Sequence, residues 1–512
     1  MESIHARNIK NAVTAWAQEL SEQPQRFYIV ASFLVVLAAI TVFWKIPRQP
    51  AVKILLADEI RSSRQRALEY AFNPRQVMKK GYAQFKDEVY GINTQDGVKV
   101  VIPPSFLNDL KSHPSLSFKA SIDNDMQLEY TYFGGPPEYV IHAIKGNMTA
   151  SLGTVTPLLN QMVRRNVPVI LGKYKDWTPV QVHDKILQLV GTNNARIFQG
   201  TAASLDQEWV EASTGYVLSV FDCIRALKQW HPWLRPIVYR FIPERAAIND
   251  QWVKGRKRLS ASMRERSERG ANLEDPPTML DLLSSGKNEW LANDIEKQLL
   301  YQMTLVAVGT VTTFASITQA IYDLATQPSY IPLLRKEVES VPRDSNGDFT
   351  KESLSAMKKL DSFIKESQRL NAPDLSTFQR AATANMTLPD GTFIPKGTKL
   401  EVNTCSIHRD KSIYENADQF DGLRYYKQRL NPGEENKHMY YSVGKDDLSF
   451  GFGRHACPGR YLGAVNIKLL LAQILLDYDV KVPDGAARPA NIEFEATVSP
   501  DAEFKILLRS RP

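Results

Sequence analysis

Apolar residues gather along this chain in two long runs separated by shorter amphipathic stretches, and each run predicts a helix of a different kind. The first, Phe27 to Trp44 (FYIVASFLVVLAAITVFW), holds eighteen residues without a charge and has aromatic residues at both ends. That is just enough to cross a bilayer. A cleaved secretory signal and a buried core helix are the competing readings, but the polar lead from Met1 to Arg26 is long and no A-x-A-like cleavage site follows. Beyond the run, Lys45, Arg48, Lys53, Arg61 and Arg64 outnumber Arg7, Lys10 and Arg26 before it, so the positive-inside rule keeps the following domain in the cytosol. Pro47 and Pro50 stiffen the connection. The expected organisation is a lumenal segment 1–26, a transmembrane anchor 27–44, a proline-containing linker 45–52 and one domain over 53–512.

The second run, Glu296 to Thr326, is too long and apolar to lie exposed and predicts a buried core helix. In its middle stand Gly309 and the polar group Thr310, Thr312 and Thr313, interrupted by Val311. A mid-helix glycine costs about 1 kcal/mol against alanine, so it calls for a packing or functional reason. The bland alternative is that the threonines bond back to carbonyls one turn earlier and bend the helix. A third helical stretch, FIKESQRL over Phe363 to Leu370, puts Glu366 and Arg369 on one face, where residues three apart can touch. Taken alone, that pair reads as a surface ion pair of little worth.

Short strands are expected at Val98 to Ile102 and in the turn-rich stretch Thr387 to Val402, where Asp390-Gly391 and Lys396-Gly397 are hairpin punctuation. The fold class is therefore mainly α with small β-elements. The charged stretch Lys257 to Pro277, closed by paired prolines, reads as a surface connection.

Composition narrows the function. The chain of 512 residues is 43% hydrophobic and 23% charged, which suits a large core, and its 63 basic against 56 acidic residues give +7, too mild to argue for nucleic acid. There is no short repeat, Walker loop, zinc spacing or post-strand G-x-G-x-x-G, so any electrons used in catalysis come from another protein. The sequons Asn147-Met-Thr149 and Asn385-Met-Thr387 would stay unmodified in a cytosolic domain. Three cysteines, Cys223, Cys405 and Cys457, make neither a disulfide framework nor a tetrahedral zinc cluster.

Cys457 differs from the other two. It lies in FGFGRHACPG, Phe450 to Gly459, where glycines let a backbone fold tightly against a flat ligand, and it directly precedes a long apolar helical run. An ordinary buried thiol is the alternative. The segment resembles the haem-binding signature F-x-x-G-x-x-x-C-x-G of the cytochrome P-450 family, matched by Phe450, Gly453, Cys457 and Gly459. The resemblance implies the fold of that family behind one N-terminal transmembrane helix, with haem b held by the Cys457 thiolate, which favours cleavage of dioxygen. It also implies NADPH electrons delivered by a separate FAD/FMN reductase, with cytochrome b5 as an optional second donor. The implied location is the endoplasmic reticulum membrane, with the catalytic domain in the cytosol.

Further segments carry the resemblance. Gly309, Thr312 and Thr313 are similar to the family's distal A-G-x-(D/E)-T-(T/S) pattern, which makes Thr312 the hydroxyl that passes protons to dioxygen, with Thr313 beside it. Val308 and Val311 depart from that pattern, and Val311 removes the usual carboxylate, leaving Thr310, Thr313 or ordered water as the proton route. Glu366 and Arg369 resemble the family's E-x-x-R pair, and Arg424 in FDGLRYY its later arginine; together they imply a buried polar cluster needed to retain haem. For the propionates the resemblance points to His455, with Arg454 equally eligible and Lys145 a further candidate, whereas the W-x-x-x-R string Trp252 to Arg256 lies too near the threonine helix to serve. Leu305, Val308, Gly309 and the segment Leu375 to Phe378 are the expected substrate-lining positions. The detailed wording of FGFGRHACPGR and FDGLRYYKQR looks most like ascomycete members that oxidise terpenoid-type secondary metabolites, including diterpenoid, indole-diterpene and meroterpenoid intermediates. The rival functions are a haem-thiolate isomerase or dehydratase, which needs no reductase, and a haem-binding protein without turnover.

Overall fold

The computed structural model describes Ser32, residues 49–269 and residues 276–512. The expected lumenal segment, the anchor at 27–44 apart from Ser32, and linker residues 45–48 lie outside the described residues.

Two lobes follow from the sequence pattern. The smaller is built on a six-stranded sheet whose strands are β1 (Lys53–Ile54), β2 (Tyr90–Thr94), β3 (Gly97–Val101), β4 (Leu116–Ser117), β5 (Thr377–Ala382) and β6 (Lys399–Val402). Their order across the sheet is β1-β2-β3-β6-β5-β4, with β1-β2 and β3-β6 parallel and the other pairs antiparallel. The strand expected at Val98 to Ile102 is β3, and the turn-rich stretch 387–402 forms a two-stranded hairpin, Met386–Thr387 with Phe393–Ile394, followed by β6. Gly391 and Gly397 have φ of 88° and 91°, the left-handed conformation that made glycine the residue for those turns. A second hairpin, β7 (Ile492–Phe494) with β8 (Thr497–Ser499), lies beside this lobe.

The larger lobe is helical. In chain order the helices that matter here are α1 (Ser63–Phe72), α2 (Pro74–Phe85), α3 (Phe118–Asp125), α4 (Leu152–Ile170), α5 (Val182–Phe198), α6 (Gln207–Lys228), α7 (Pro243–Arg269), α8 (Ile295–Thr326), α9 (Tyr330–Ser340), α10 (Lys358–Leu370) and α11 (Arg460–Asp477). α8 is the helix read from the apolar run at 296–326. Asp294 caps its start by accepting from the Lys297 amide at 3.0 Å, and it ends just before Pro328. Among the described residues it is the one helix long and apolar enough to cross a membrane, yet 78% of its most apolar window is buried inside the protein. It is the central beam of the core. Leu305, Val306, Phe314, Ile317 and Ile321 of α8 join Ile197 and Phe198 of α5, Leu360 and Ile364 of α10, and Ile467, Leu470 and Leu471 of α11 in one apolar cluster.

The charged stretch at 257–277 departs from its expected form. It continues α7 as helix to Arg269, because Lys, Arg, Glu and Ala are strong helix formers however polar the segment. The connection from α6 to α7, residues 229–242, is unusual in another way: Trp230, Trp233, Leu234, Ile237 and Phe241 all point into solvent.

Candidate active site

Glycine geometry fixes the cysteine loop. Gly451 and Gly453 have φ of 75° and 70°, and a Cβ on Gly453 would stand 2.9 Å from Lys111 Cβ. The loop closes on itself, with the Cys457 amide donating to the Phe450 carbonyl at 2.8 Å and the Ala456 amide to the Gly453 carbonyl at 3.1 Å. This leaves Cys457 half-buried at the N-terminus of α11. Burial pushes its thiol up, but the amides of Gly459 and Arg460 and the Arg460 guanidinium act in the opposite direction by favouring the thiolate. Cys223 and Cys405 are buried thiols raised to about 12 and about 11.

On α8, every residue from Gln302 to Ala325 is buried except Val308, Gly309, Val311 and Thr312. Val308, 46% exposed, and Thr312 stand one turn apart and define an accessible face in the middle of a core helix. The Thr312 hydroxyl bonds back to the Val308 carbonyl at 3.3 Å. Thr310 faces the other way. It is fully buried and its hydroxyl accepts from Asn194 Nδ2 of α5 at 2.9 Å, so it does not reach the accessible face. Thr313 is buried as well, which leaves Thr312 as the hydroxyl presented there. Gly309 explains itself by packing: a Cβ would sit 3.2 Å from Phe198 Cζ of α5.

Glu366 and Arg369 are buried rather than on the surface. Arg369 donates to both carboxylate oxygens of Glu366, at 2.8 and 2.7 Å, and Arg424 Nε reaches the same carboxylate at 3.1 Å. Remaining donors end on carbonyls, Arg369 on His408 and Ala417 and Arg424 on Glu415, so the cluster is satisfied.

Tyr440 ties the cysteine loop to α10. Its ring meets Phe450 edge-on at 5.3 Å, and its hydroxyl accepts from Gln368 Nε2 of α10 at 3.2 Å.

Residues 211–508 match the family model "Cytochrome P-450". The cytochrome P-450 monooxygenase braC of Annulohypoxylon truncatum is 33% identical over 505 residues, covering 97% of this chain and 98% of that protein. The chain belongs to the cytochrome P-450 family. Two further relatives at 32% identity are the monooxygenases olcJ of Penicillium canescens, over 84% of this chain and 83% of that one, and terK of Tolypocladium album, over 86% of each. The fold agrees with the solved structure of a retinoic acid-bound cyanobacterial cytochrome P-450, with a TM-score of 0.66 over 91% of this chain and all of that one at 15% identity. The protein is thus a cytochrome P-450 monooxygenase, an oxidoreductase.

Haem is the cofactor this family implies, and the donor set of this P-450 fits it. Cys457 would hold the iron through its sulfur, and Arg380 of β5 offers a buried cation for a propionate. Arg380 is 2% exposed, and among the described residues no carboxylate pairs with it; its partners are the Gln379 carbonyl and the rings of Phe378 and Phe118. Burial pushes its guanidinium down to about 10, as a cation without a counter-charge requires. The sequence reading missed Arg380; the signal was an arginine inside the buried strand TFQRAA. His455 also stacks on Phe118, with ring centres 5.9 Å apart, and burial and then Arg380 push its imidazole down to about 4, leaving it a neutral donor. Arg454 instead points outward to Glu138 at 3.5 Å, while Lys145 donates to the Arg454 carbonyl at 2.7 Å and so braces the loop.

Two expectations about lining residues change. Leu375 packs among Tyr70, Tyr90 and Val498, and Phe378 joins the sheet-lobe core with Val100 and Leu400, so neither opens onto the α8 face. Leu375 precedes β5 and is held by backbone bonds to Ala496 and Cys405, and Phe378 lies where the β5–β6 register shifts. Leu305 is likewise core, whereas Val308 is on the accessible face. The Trp252 to Arg256 string belongs to α7, where Trp252 meets Tyr132 and Tyr216 and Arg256 pairs with Glu296 at the surface.

Proposed function

We propose that this monooxygenase inserts one oxygen atom into an unactivated carbon–hydrogen bond of a lipophilic, terpenoid-type intermediate of fungal secondary metabolism. The overall change is R–H + O2 + NADPH + H+ to R–OH + H2O + NADP+. A separate flavoprotein reductase delivers the two electrons. The observation that carries the reading is the half-buried Cys457 thiol in its glycine-shaped loop just before α11, in a chain whose core helix α8 keeps one accessible face at Val308 and Thr312.

When bound, haem supplies the redox centre at which dioxygen is activated. The protein's own residues do the rest. Cys457 would hold the iron through its sulfur, with the Gly459 and Arg460 amides favouring the thiolate against the burial that raises the thiol. Arg380 and His455 would hold the propionates, and Glu366 with Arg369 and Arg424 fixes the chain that backs the loop. Val308 gives the substrate an apolar wall, so it is held by shape. Thr312 holds a proton at its Oγ on the same face, the single hydroxyl of that turn able to pass one on. Val311 provides no acid, so protons reach Thr312 through water.

The endoplasmic reticulum membrane is the proposed location. The uncharged run Phe27 to Trp44 supports it, as does the outward cluster Trp230, Trp233, Ile237 and Phe241 on the loop between α6 and α7.

The test incubates microsomes bearing the full chain with reductase, NADPH, labelled dioxygen and a panel of terpenoid scaffolds, followed by mass analysis. The expected product carries one labelled oxygen, and Cys457→Ala abolishes both the product and the thiolate-type carbon monoxide spectrum. Product formed without NADPH and reductase would identify an isomerase or dehydratase, and retention of the thiolate-type spectrum in Cys457→Ala would overturn the ligand assignment.

A further inference from the structure

Where α5, α8 and α11 meet, a seam of side-chain amides runs through the apolar core. Ile197 and Phe198 of α5, Phe314 and Ile317 of α8, and Ile467 and Leu470 of α11 belong to that core. Between the same three helices lie Asn193 and Asn194 of α5, Asn466 of α11 and Thr310 of α8, none more than 2% exposed. Asn193 Nδ2 donates to Asn466 Oδ1 at 2.8 Å, Asn466 Nδ2 donates to Asn194 Oδ1 at 3.3 Å, and Asn194 Nδ2 donates to Thr310 Oγ1 at 2.9 Å. Every donor runs one way, from α5 to α11, back to α5 and on to α8, an arrangement in which each bond polarises the next.

The helices joined in this way are those that carry the two halves of the site. Asn466 stands nine residues beyond Cys457 on α11, and Thr310 stands two residues before Thr312 on α8. Thr310 turns its hydroxyl toward α5, so the bond leaves the accessible face at Val308 and Thr312 untouched. Gly309 makes the contact possible, because a Cβ there would stand 3.4 Å from Asn194 Nδ2 and hold α5 away. Apolar interfaces fix helix positions loosely, since side chains of similar volume repack at little cost. A buried amide is directional and is satisfied in one register, which is how a single asparagine sets the register of a coiled coil. The seam does not serve stability: Asn193 Oδ1 is buried and has no partner among the described residues, and apolar side chains of similar volume avoid that cost. What it supplies is a fixed register between α11 and α8.

We propose that Asn466, Asn194 and Thr310 are positioning residues that set the helix bearing Thr312 against the helix that follows Cys457. Asn194 is the bridge, accepting from α11 with its oxygen and donating to α8 with its nitrogen, so neither helix shifts or turns without breaking a buried bond. The inference rests on the assignment of Thr312 and Cys457 made above, and it goes further by stating what sets their mutual geometry.

The test uses the full-length holoenzyme with reductase and four variants, Thr310→Val, Asn466→Leu, the double variant and Thr310→Ser. Three quantities are read: the carbon monoxide spectrum, amide hydrogen exchange over residues 308–312 and 457–463, and product per NADPH consumed on a terpenoid scaffold that the wild type oxidises. Thr310→Val keeps the shape of the side chain and removes the acceptor. It is expected to keep the thiolate-type spectrum, to speed exchange at 457–463 as well as at 308–312, and to lower product per NADPH by about 3- to 10-fold, the scale of one hydrogen bond. Asn466→Leu is expected to do the same from the other end, and the double variant to fall short of the summed losses, because both substitutions break one chain. Thr310→Ser keeps a hydroxyl and is expected to restore the wild-type values. Faster exchange confined to the segment that carries the substitution, unchanged product per NADPH in Thr310→Val, or additive losses would each overturn the inference. Thr310→Val decides the matter by itself should Asn466→Leu fail to fold. A wild-type protein lacking the thiolate-type spectrum would instead overturn the Cys457 assignment, and unchanged product per NADPH in Thr312→Ala the assignment of Thr312.

Discussion

Glu366 and Arg369, three residues apart on α10, meet as a two-pronged pair with both side chains buried, and Arg424 shares the same carboxylate from a segment 55 residues beyond Arg369. The pair is thus the joint between a helix and the chain that leads into the cysteine loop. Removing one partner strands a buried charge. Arg369→Ala and Glu366→Gln are each expected to cost on the order of 3–5 kcal/mol and to yield protein without a thiolate-type carbon monoxide spectrum. Arg369→Lys is expected to fail as well, since an ammonium cannot reproduce the bidentate bonds and the His408 and Ala417 carbonyl contacts together. Urea unfolding beside the optical spectrum checks this; a spectrum of normal intensity in Arg369→Ala would refute it.

What could be read in the sequence and what could not divides along a physical line. α8 was legible because its long apolar run leaves a folded chain no place but its core, and the turn at Gly391 because glycine alone takes that φ without strain. The cysteine loop was legible because its residues act within ten positions of one another. Tyr440 and Arg380 were not. Tyr440 matters through Gln368, 72 residues before it, and Arg380 through His455, 75 residues after it, and neither distance leaves a periodicity. The burial of Glu366 was equally hidden, since the same E-x-x-R spacing serves an exposed pair.

Asp374, between α10 and β5, gives the protein a pH-dependent element. Burial pushes its carboxyl up to about 7; Lys99 opposes this, and Glu401 and Asp125 add to it. The folded chain therefore holds a proton that an unfolded carboxyl, near 3.9, releases. Its contribution is fully present at low pH and is lost as pH rises from about 4 through about 7. Asp374→Asn keeps the shape and removes the titration. The expected result is a variant about as stable as wild type near pH 4 and more stable, on the order of 4 kcal/mol, near pH 8. Thermal melts of both proteins across that range check it, and parallel curves would refute it.

The loop 229–242 is held from beneath while its apolar side chains face out. Lys228 reaches Glu495 at 2.6 Å and Arg235 reaches Asp96 at 2.5 Å, both cations buried, whereas Trp233 and Phe241 are 60% and 81% exposed. A surface of that kind gains about 25 cal/mol for each Å² of apolar area it withdraws from water. In liposomes with brominated acyl chains, tryptophan emission is expected to be quenched, and less so in the double variant Trp230→Phe with Trp233→Phe. The difference isolates the loop from Trp44. Equal quenching in the two proteins would place the loop away from the bilayer.

Gly309 offers the sharpest test of how closely α5 and α8 fit. Alanine there would gain about 1 kcal/mol of helix propensity. Against this, its Cβ would stand 3.2 Å from Phe198 Cζ and 3.4 Å from Asn194 Nδ2. Neither neighbour is free to give way. Phe198 is 4% exposed within the main core, and Asn194 is tied to Thr310 at 2.9 Å and to Asn466 of α11 at 3.3 Å. Overpacking of this kind costs about 1–3 kcal/mol, enough to outweigh the propensity gain. Gly309→Ala is therefore expected to melt lower than wild type, and Gly309→Val lower again, by differential scanning calorimetry of the holoprotein. A higher melting temperature for Gly309→Ala would mean that α5 yields, and that the glycine is kept for the space it leaves on the accessible face rather than for this contact.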